Sequence, residues 1–106
     1  MFFELREYRI LPGQMDNWVK CMEEVIIPFQ VSKGMVILGS FVSQDESDLY
    51  IWIRRFENAS QKEALYEAVY ESDEWKNHIG PQIPGMMDRS KIVVRNIEAT
   101  PKSVIQ

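Results

Sequence analysis

Side chains that can bind ions or exchange protons alternate along two short segments rich in β-forming residues. Alternate residues of a strand point to the same face of a sheet, so each set would share one face. Arginine binds a carboxylate through two parallel hydrogen bonds, and tyrosine can exchange a proton if its pKa is lowered. The pattern indicates either a pocket for an anionic or phenolic small molecule or a charged interface between subunits. The set consists of Glu4, Arg6 and Tyr8 in the first segment and Trp52 and Arg54 in the second.

The chain has one histidine, His78, and one cysteine, Cys21. Neither has His, Cys or carboxylate neighbours at a spacing typical of metal ligands, so we expect no metal and no cofactor. A single cysteine cannot form a disulfide within the chain, and a reducing cytoplasm is its simplest setting. His78 is a candidate for a surface position or the rim of a pocket, and Cys21 is expected to be an inert thiol.

The composition argues against two classes of protein. A chain of 106 residues with 45% hydrophobic and 26% charged residues has the size and balance of one globular domain. Its net charge is −4 and its pI about 5.0, without the basic stripe on which nucleic-acid binding usually depends. No apolar run is long enough for a spanning helix. We therefore expect neither nucleic-acid binding nor membrane insertion.

Hydrophobic periodicity predicts the element order β-α-β-β-α-β. A helix over residues 14–31 should kink near Ile27, because Pro28 lacks an N–H. A second helix begins at Asn58 or Ser60 and carries a short apolar face of Ala64, Leu65, Ala68 and Val69. Residues 80–90 are predicted to form an irregular loop, and Gly39 to mark a bulge. The predicted strands cover residues 2–10, 35–43, 48–56 and 91–98.

This order predicts an α+β fold, the ferredoxin-like βαββαβ sandwich, with both helices on one face of a four-stranded antiparallel sheet. The first and third strands are then central. One of their faces is aliphatic and the other mixes aromatic and charged side chains. We expect the aliphatic face to pack on the helices and the mixed face to meet a second subunit. The domain should cover residues 1–98, with residues 99–106 as a tail that is mobile or lies on a neighbouring molecule.

Five motifs in this order resemble the NIPSNAP family. The opening Glu4-Leu5-Arg6-x-Tyr8-x-Ile10-x-Pro12-Gly13 is similar to that family's Glu-Leu-Arg-x-Tyr-x-Leu-x-Pro-Gly start. The likeness extends from Phe3 to Val94. The other four motifs are Asp16-Asn17-Trp18, Leu38-Gly39-Ser40-Phe41, Ile51-Trp52 and Ser72-Asp73-Glu74-Trp75.

The resemblance implies a dimeric α/β barrel, in which two ferredoxin-like subunits pack sheet against sheet. Relatives in this superfamily include cofactor-free quinone-forming monooxygenases, haem-degrading monooxygenases and muconolactone enzymes, whereas NIPSNAP proteins have no settled catalytic residues. In the haem-degrading relatives a histidine near the end of the second helical segment binds iron, and His78 falls close to that place. The asparagine typical of their first strand is replaced here by Arg6 or Tyr8.

We therefore predict a cytoplasmic homodimer of the NIPSNAP type that binds a small molecule or acts as an accessory protein. The alternative is a cofactor-independent monooxygenase or isomerase acting on an aromatic or hydroxylated compound, which needs a cavity of about 300 Å³ or more. A haem-binding or haem-degrading protein is a third hypothesis. The candidate pocket or interface residues are Glu4, Arg6, Tyr8, Trp52, Arg54 and His78.

Overall fold

The computed structural model describes residues 1–106 and contains one four-stranded antiparallel sheet. The strand order is β2-β3-β1-β4, so β1 and β3 are central as predicted. The helices cover one face, and the predicted ferredoxin-like α+β fold is confirmed. The strands are β1 (Phe2–Ile10), β2 (Val36–Val42), β3 (Leu49–Phe56) and β4 (Met87–Ile97).

The α-helices lie in the two predicted places. No helix is both long and apolar enough to cross a bilayer. The N-cap of the helix after β3 is Asn58 rather than Ser60, because the Asn58 side chain accepts a hydrogen bond from the Gln61 N–H at 2.8 Å. The segments are α1 (Met15–Cys21), a π-helical turn (Met22–Ile26), α2 (Ile27–Ser32), α3 (Ala59–Tyr70), a second π-helical turn (Trp75–Ile79) and a 3-10 helix (Gly80–Gly85).

The predicted kink before Pro28 takes the form of a wider turn. The Ile27 N–H donates to the carbonyl of Met22, five residues earlier. A π turn at this point relieves the clash between a proline ring and the carbonyl four residues back. In a regular helix of 3.6 residues per turn, side chains four residues apart drift progressively around the helix axis. The wider π turn reduces this drift. A continuous buried stripe results, made of Trp18, Met22, Ile26 and Gln30.

One prediction about the strands is confirmed and another is wrong. The bulge predicted at Gly39 is confirmed, since the β2–β3 pairing shifts between Ile37 and Gly39. A Cβ on Gly39 would lie 2.5 Å from the ring of Phe41, so any other residue here would displace that ring. The prediction of an irregular loop over residues 80–90 is wrong. A 3-10 helix fills its first half, and β4 begins at Met87, which pairs with Ile10.

The helices cover the opposite face of the sheet from the one predicted. The mixed face lies under the helices, where Glu4, Trp52 and Arg54 are buried. The aliphatic face is the open one, and Phe41 there is 52% exposed. Aromatic rings offer the larger apolar area for burial. The charges among them are paired and hydrogen-bonded, which offsets the cost of removing them from water.

Residues 99–106 contain no helix or strand and fold back over one end of the open face. The Arg55 guanidinium donates to the carbonyl of Gln106 at 2.9 Å. Phe3, Phe41 and Ile105 line a shallow cleft between this tail and the sheet. The tail therefore covers part of the aliphatic face within its own chain.

Candidate functional site

A hydrogen-bonded cluster of ionised side chains lies between the sheet and α3. Glu4 on β1 stands directly opposite Arg54 on β3, and the two form a fully buried ion pair at 2.5 Å. The second carboxylate oxygen of Glu4 accepts from Lys62 Nζ at 2.8 Å and from the Tyr66 hydroxyl at 2.5 Å. Arg6 Nε lies 3.2 Å from Glu4 Oε1. The cluster thus sets three cations against one carboxylate.

Neutral groups also bind the Arg54 guanidinium through its two terminal nitrogens, whereas its buried Nε has no hydrogen-bond partner. The guanidinium donates to the Tyr70 hydroxyl at 2.7 Å and to the Gln30 side-chain oxygen at 2.9 Å. It also donates to the Tyr66 hydroxyl at 2.8 Å and stacks over Trp52, 4.6 Å from the ring centroid. Charged groups are tolerated in an interior when they are paired and hydrogen-bonded in this way.

The cluster is ionised at neutral pH. Burial by itself raises the pKa of Glu4, but attraction to Arg54 and hydrogen bonds from Lys62, Tyr66 and Arg54 reverse that effect and lower the pKa to about 2. Burial raises the pKa of Tyr66, and its hydrogen bond to Glu4 adds to the shift. Glu4 is therefore a carboxylate, and Tyr66 is a neutral phenol that donates to it.

Three residues of α3 complete this cluster and were not predicted from the sequence. Lys62, Tyr66 and Tyr70 follow one another at a spacing of four and face the sheet. Val69 is buried and Leu65 half-buried, but the two alanines predicted to share their face are exposed. The missed signal is the row of polar-headed side chains at helical spacing.

A cavity of about 340 Å³ lies beside the cluster, between the sheet and the helical layer. Arg6, Tyr8 and Trp52 form its floor. No carboxylate lines it, and its only charged lining residues are Arg6 and Arg89. The side chains of the helical layer that enclose it are mostly apolar: Trp18, Met22, Ile26, Tyr70, Trp75 and Ile83.

Tyr8 is the polar centre of the cavity floor. Its hydroxyl accepts hydrogen bonds from Arg6 at 3.0 Å and from the Trp52 indole at 2.9 Å, so its own proton is left to donate. Burial raises the pKa of Tyr8, although the nearby Arg6 charge opposes the shift. The lowered pKa that proton exchange would need is therefore not found. Tyr8 is suited to donate a hydrogen bond, not to act as a base.

The predicted site residues are brought together, with one exception. Arg6, Tyr8 and Trp52 line the cavity, and the Glu4–Arg54 ion pair lies behind it. His78 is exposed and lies outside the cavity, whereas in the same π turn Trp75 lines the cavity and Ile79 is buried.

The other residues with reactive side chains form no second site. Cys21 is buried, and burial raises the pKa of its thiol. No three His, Cys, Asp or Glu side chains converge as metal ligands. A larger open cleft of about 620 Å³ beside the Pro12–Gly13 turn contains Arg9, which is paired with Asp48 at 2.9 Å. This cleft is wide and open, and only three of its eleven lining residues are hydrophobic, so the inner cavity is the stronger candidate.

The fold and the cavity define a class of protein, the ferredoxin-like α+β domain with a pocket between its sheet and its helices. The NIPSNAP family model matches residues 3–99. The chain belongs to the NIPSNAP family, and the resemblance found in the five motifs is confirmed.

Solved structures share this fold over nearly the whole chain. A NIPSNAP family protein from Agrobacterium tumefaciens superposes with a TM-score of 0.89 at 20% identity, over 99% of this chain and 98% of that one. A NIPSNAP domain protein from Burkholderia xenovorans gives 0.86 at 14%, over 97% and 98%. An antibiotic biosynthesis monooxygenase gives 0.67 at 17%, over 95% and 100%. No protein with a curated description matches the sequence.

Proposed function

We propose that this NIPSNAP protein binds a small molecule in the cavity beneath its helices. The observation that carries the proposal is the presence of unused hydrogen-bond donors in a mostly apolar pocket. The Trp18 indole N–H is buried without a partner, and the Tyr8 hydroxyl has a proton to donate. Ligand pockets combine apolar walls with a few convergent polar groups, in volumes of about 300–1,000 Å³.

Intrinsic fluorescence tests binding directly, because the three tryptophans of the chain all line the cavity. We expect 2-naphthol, used as a neutral probe, to quench this fluorescence saturably. Ile83→Phe places a larger side chain in the cavity and should weaken binding about tenfold, a loss of about 1.4 kcal/mol. Ile97→Phe, on the open face of the sheet, should leave binding unchanged. Non-saturable quenching, or equal effects of both substitutions, would contradict the proposal.

The proposal extends to a homodimer formed through the open face of the sheet, in the cytoplasm. Exposed apolar side chains gather on that face, and contiguous patches of this kind mark interaction sites. The family resemblance implies sheet-against-sheet packing, which this face suits. The mixed face predicted for this contact is already covered by the chain's own helices. The exposed apolar residues of the open face include Val36, Phe41, Val93 and Ile97.

Phe41→Glu should therefore weaken the dimer by about 100-fold or more, since it puts like charges face to face across a symmetric contact. Val31→Glu is the matched control, because Val31 is similarly exposed, at 53%, but lies on α2. Sedimentation velocity over a range of concentrations measures both dissociation constants. Equal constants for the two variants would place the contact elsewhere.

The fold shared with an antibiotic biosynthesis monooxygenase favours one second candidate, a cofactor-independent oxygenase or isomerase acting on a hydroxylated aromatic compound. In this chain Tyr8 would hold a substrate oxygen as a neutral donor. Oxygen uptake with 1,4-dihydroxynaphthalene above the protein-free rate, reduced in Tyr8→Phe, would support the oxygenase. Uptake at the protein-free rate would count against it. A haem role is not proposed, since His78 lies outside the cavity.

A further inference from the structure

We infer that the cavity selects an anionic ligand, a flat and largely apolar molecule that carries one carboxylate or comparable negative oxygen group. This inference rests on the proposed function and adds to it the charge and shape of the ligand.

The charge around the cavity is unbalanced. Two arginines and no carboxylate line it, in a protein whose net charge is −4. Arg89 makes no ion pair, and its side chain donates only to the carbonyl of Gly80, at 3.0 Å. Arg6 shares a single carboxylate, Glu4, with Arg54 and Lys62. A bound anion would neutralise the excess positive charge around the cavity, whereas a bound cation would increase it.

The free polar groups of the cavity point to the same sign of charge. Tyr8 and Tyr70 each accept two N–H hydrogen bonds, and neither hydroxyl proton has an acceptor in the protein. The buried Trp18 N–H is also without a partner. These groups are hydrogen-bond donors without an acceptor, and an ionised oxygen forms the strongest hydrogen bonds to such donors.

The side chains that line the cavity indicate the shape and polarity of the uncharged part of the ligand. Aromatic rings line opposite sides, with Trp52 in the sheet and Trp18 and Trp75 in the helical layer. Flat apolar molecules stack well on such surfaces. The volume of about 340 Å³ is near the lower end for ligand pockets, which suits a body of one or two rings.

A pair of probes with the same ring system and opposite charge tests the inference. We expect 2-naphthoate to quench tryptophan fluorescence with a dissociation constant at least about tenfold lower than that of 2-naphthylmethylammonium at pH 7. Arg89→Gln should weaken 2-naphthoate binding about tenfold without weakening that of the ammonium probe, and Arg89→Lys should keep the preference. Arg95→Gln is the control, because Arg95 pairs with Glu7 on the open face.

The possible results test the proposed function and the inference about ligand charge separately. Saturable binding of 2-naphthol with no preference for the anion, or with a preference for the ammonium probe, overturns this inference and leaves the proposed function in place. Failure of all three probes to bind overturns both. A preference for 2-naphthoate that Arg89→Gln and Arg95→Gln reduce equally also overturns it, because the effect would then come from overall charge. Circular dichroism confirms that each variant is folded.

Discussion

Replacing Arg54 with methionine is expected to lower the free energy of unfolding by about 3–5 kcal/mol. The substitution keeps most of the side-chain volume, so the loss comes from the charge and its hydrogen bonds. Glu4, which is buried, loses its closest counter-ion; the buried side-chain oxygen of Gln30 and the hydroxyl of the half-buried Tyr70 each lose a donor. Urea unfolding followed by tryptophan fluorescence measures the change, at one protein concentration because association adds to apparent stability.

The neighbouring arginine provides the matched control. Arg55 points to the open face and donates a side-chain hydrogen bond only to the exposed carbonyl of Gln106. Arg55→Met should cost less than about 1 kcal/mol, as is usual for exposed polar contacts. In the double variant Glu4→Gln with Arg54→Met, the loss should be smaller than the sum of the single losses, since the two residues interact directly. If Arg54→Met and Arg55→Met had similar small effects, the buried position of Arg54 would be wrong.

Acid should destabilise the protein through Glu4. Its pKa is about 2 in the folded protein against 4.5 for a free side chain. Because the folded value is the lower one, this stabilisation is complete above about pH 4.5 and is lost as the pH falls towards 2. A shift of this size corresponds to about 3 kcal/mol. The difference in unfolding free energy between the natural protein and Glu4→Gln should therefore be large at pH 6 and shrink as the pH falls to 2.

Glu7 is the matched carboxylate for that experiment. It lies on the same strand, faces the other side of the sheet and pairs with Arg95 near the surface. The Glu7→Gln variant should retain the steep loss of stability in acid that Glu4→Gln lacks. A stability difference for Glu4→Gln that stays constant from pH 6 to pH 2 would mean that Glu4 is not held ionised by its partners.

The order of elements, the central strands and the bulge at Gly39 follow from the sequence because each depends on local signals. Alternation and turn residues define the strands, and short connections leave few ways to join them. The widened turn before Pro28 was expected only as a kink. Steric conflict at a proline is local, but its resolution as a π turn depends on which side chains must face the sheet.

The choice of covered face could not be made from the strands alone. Alternation separates two faces but does not say which one the helices cover, and charge on Glu4 and Arg54 argued for the wrong one. The information lies in the partners on α3, since Lys62, Tyr66 and Tyr70 satisfy those charges. Such long-range pairing is visible only when strand and helix are placed together. The strand residues of the site were therefore predictable, but its helical residues and its position inside the subunit were not.

The most direct measurement is a crystal structure of the protein soaked with 2-naphthoate. We expect the Glu4–Arg54 pair buried beneath α3, the naphthalene ring between Trp18 and Trp52, and the carboxylate within hydrogen-bond distance of Arg89 or Arg6, the two charged residues that line the cavity. Electron density for 2-naphthoate only on the open face of the sheet, or solvent around Arg54, would contradict it.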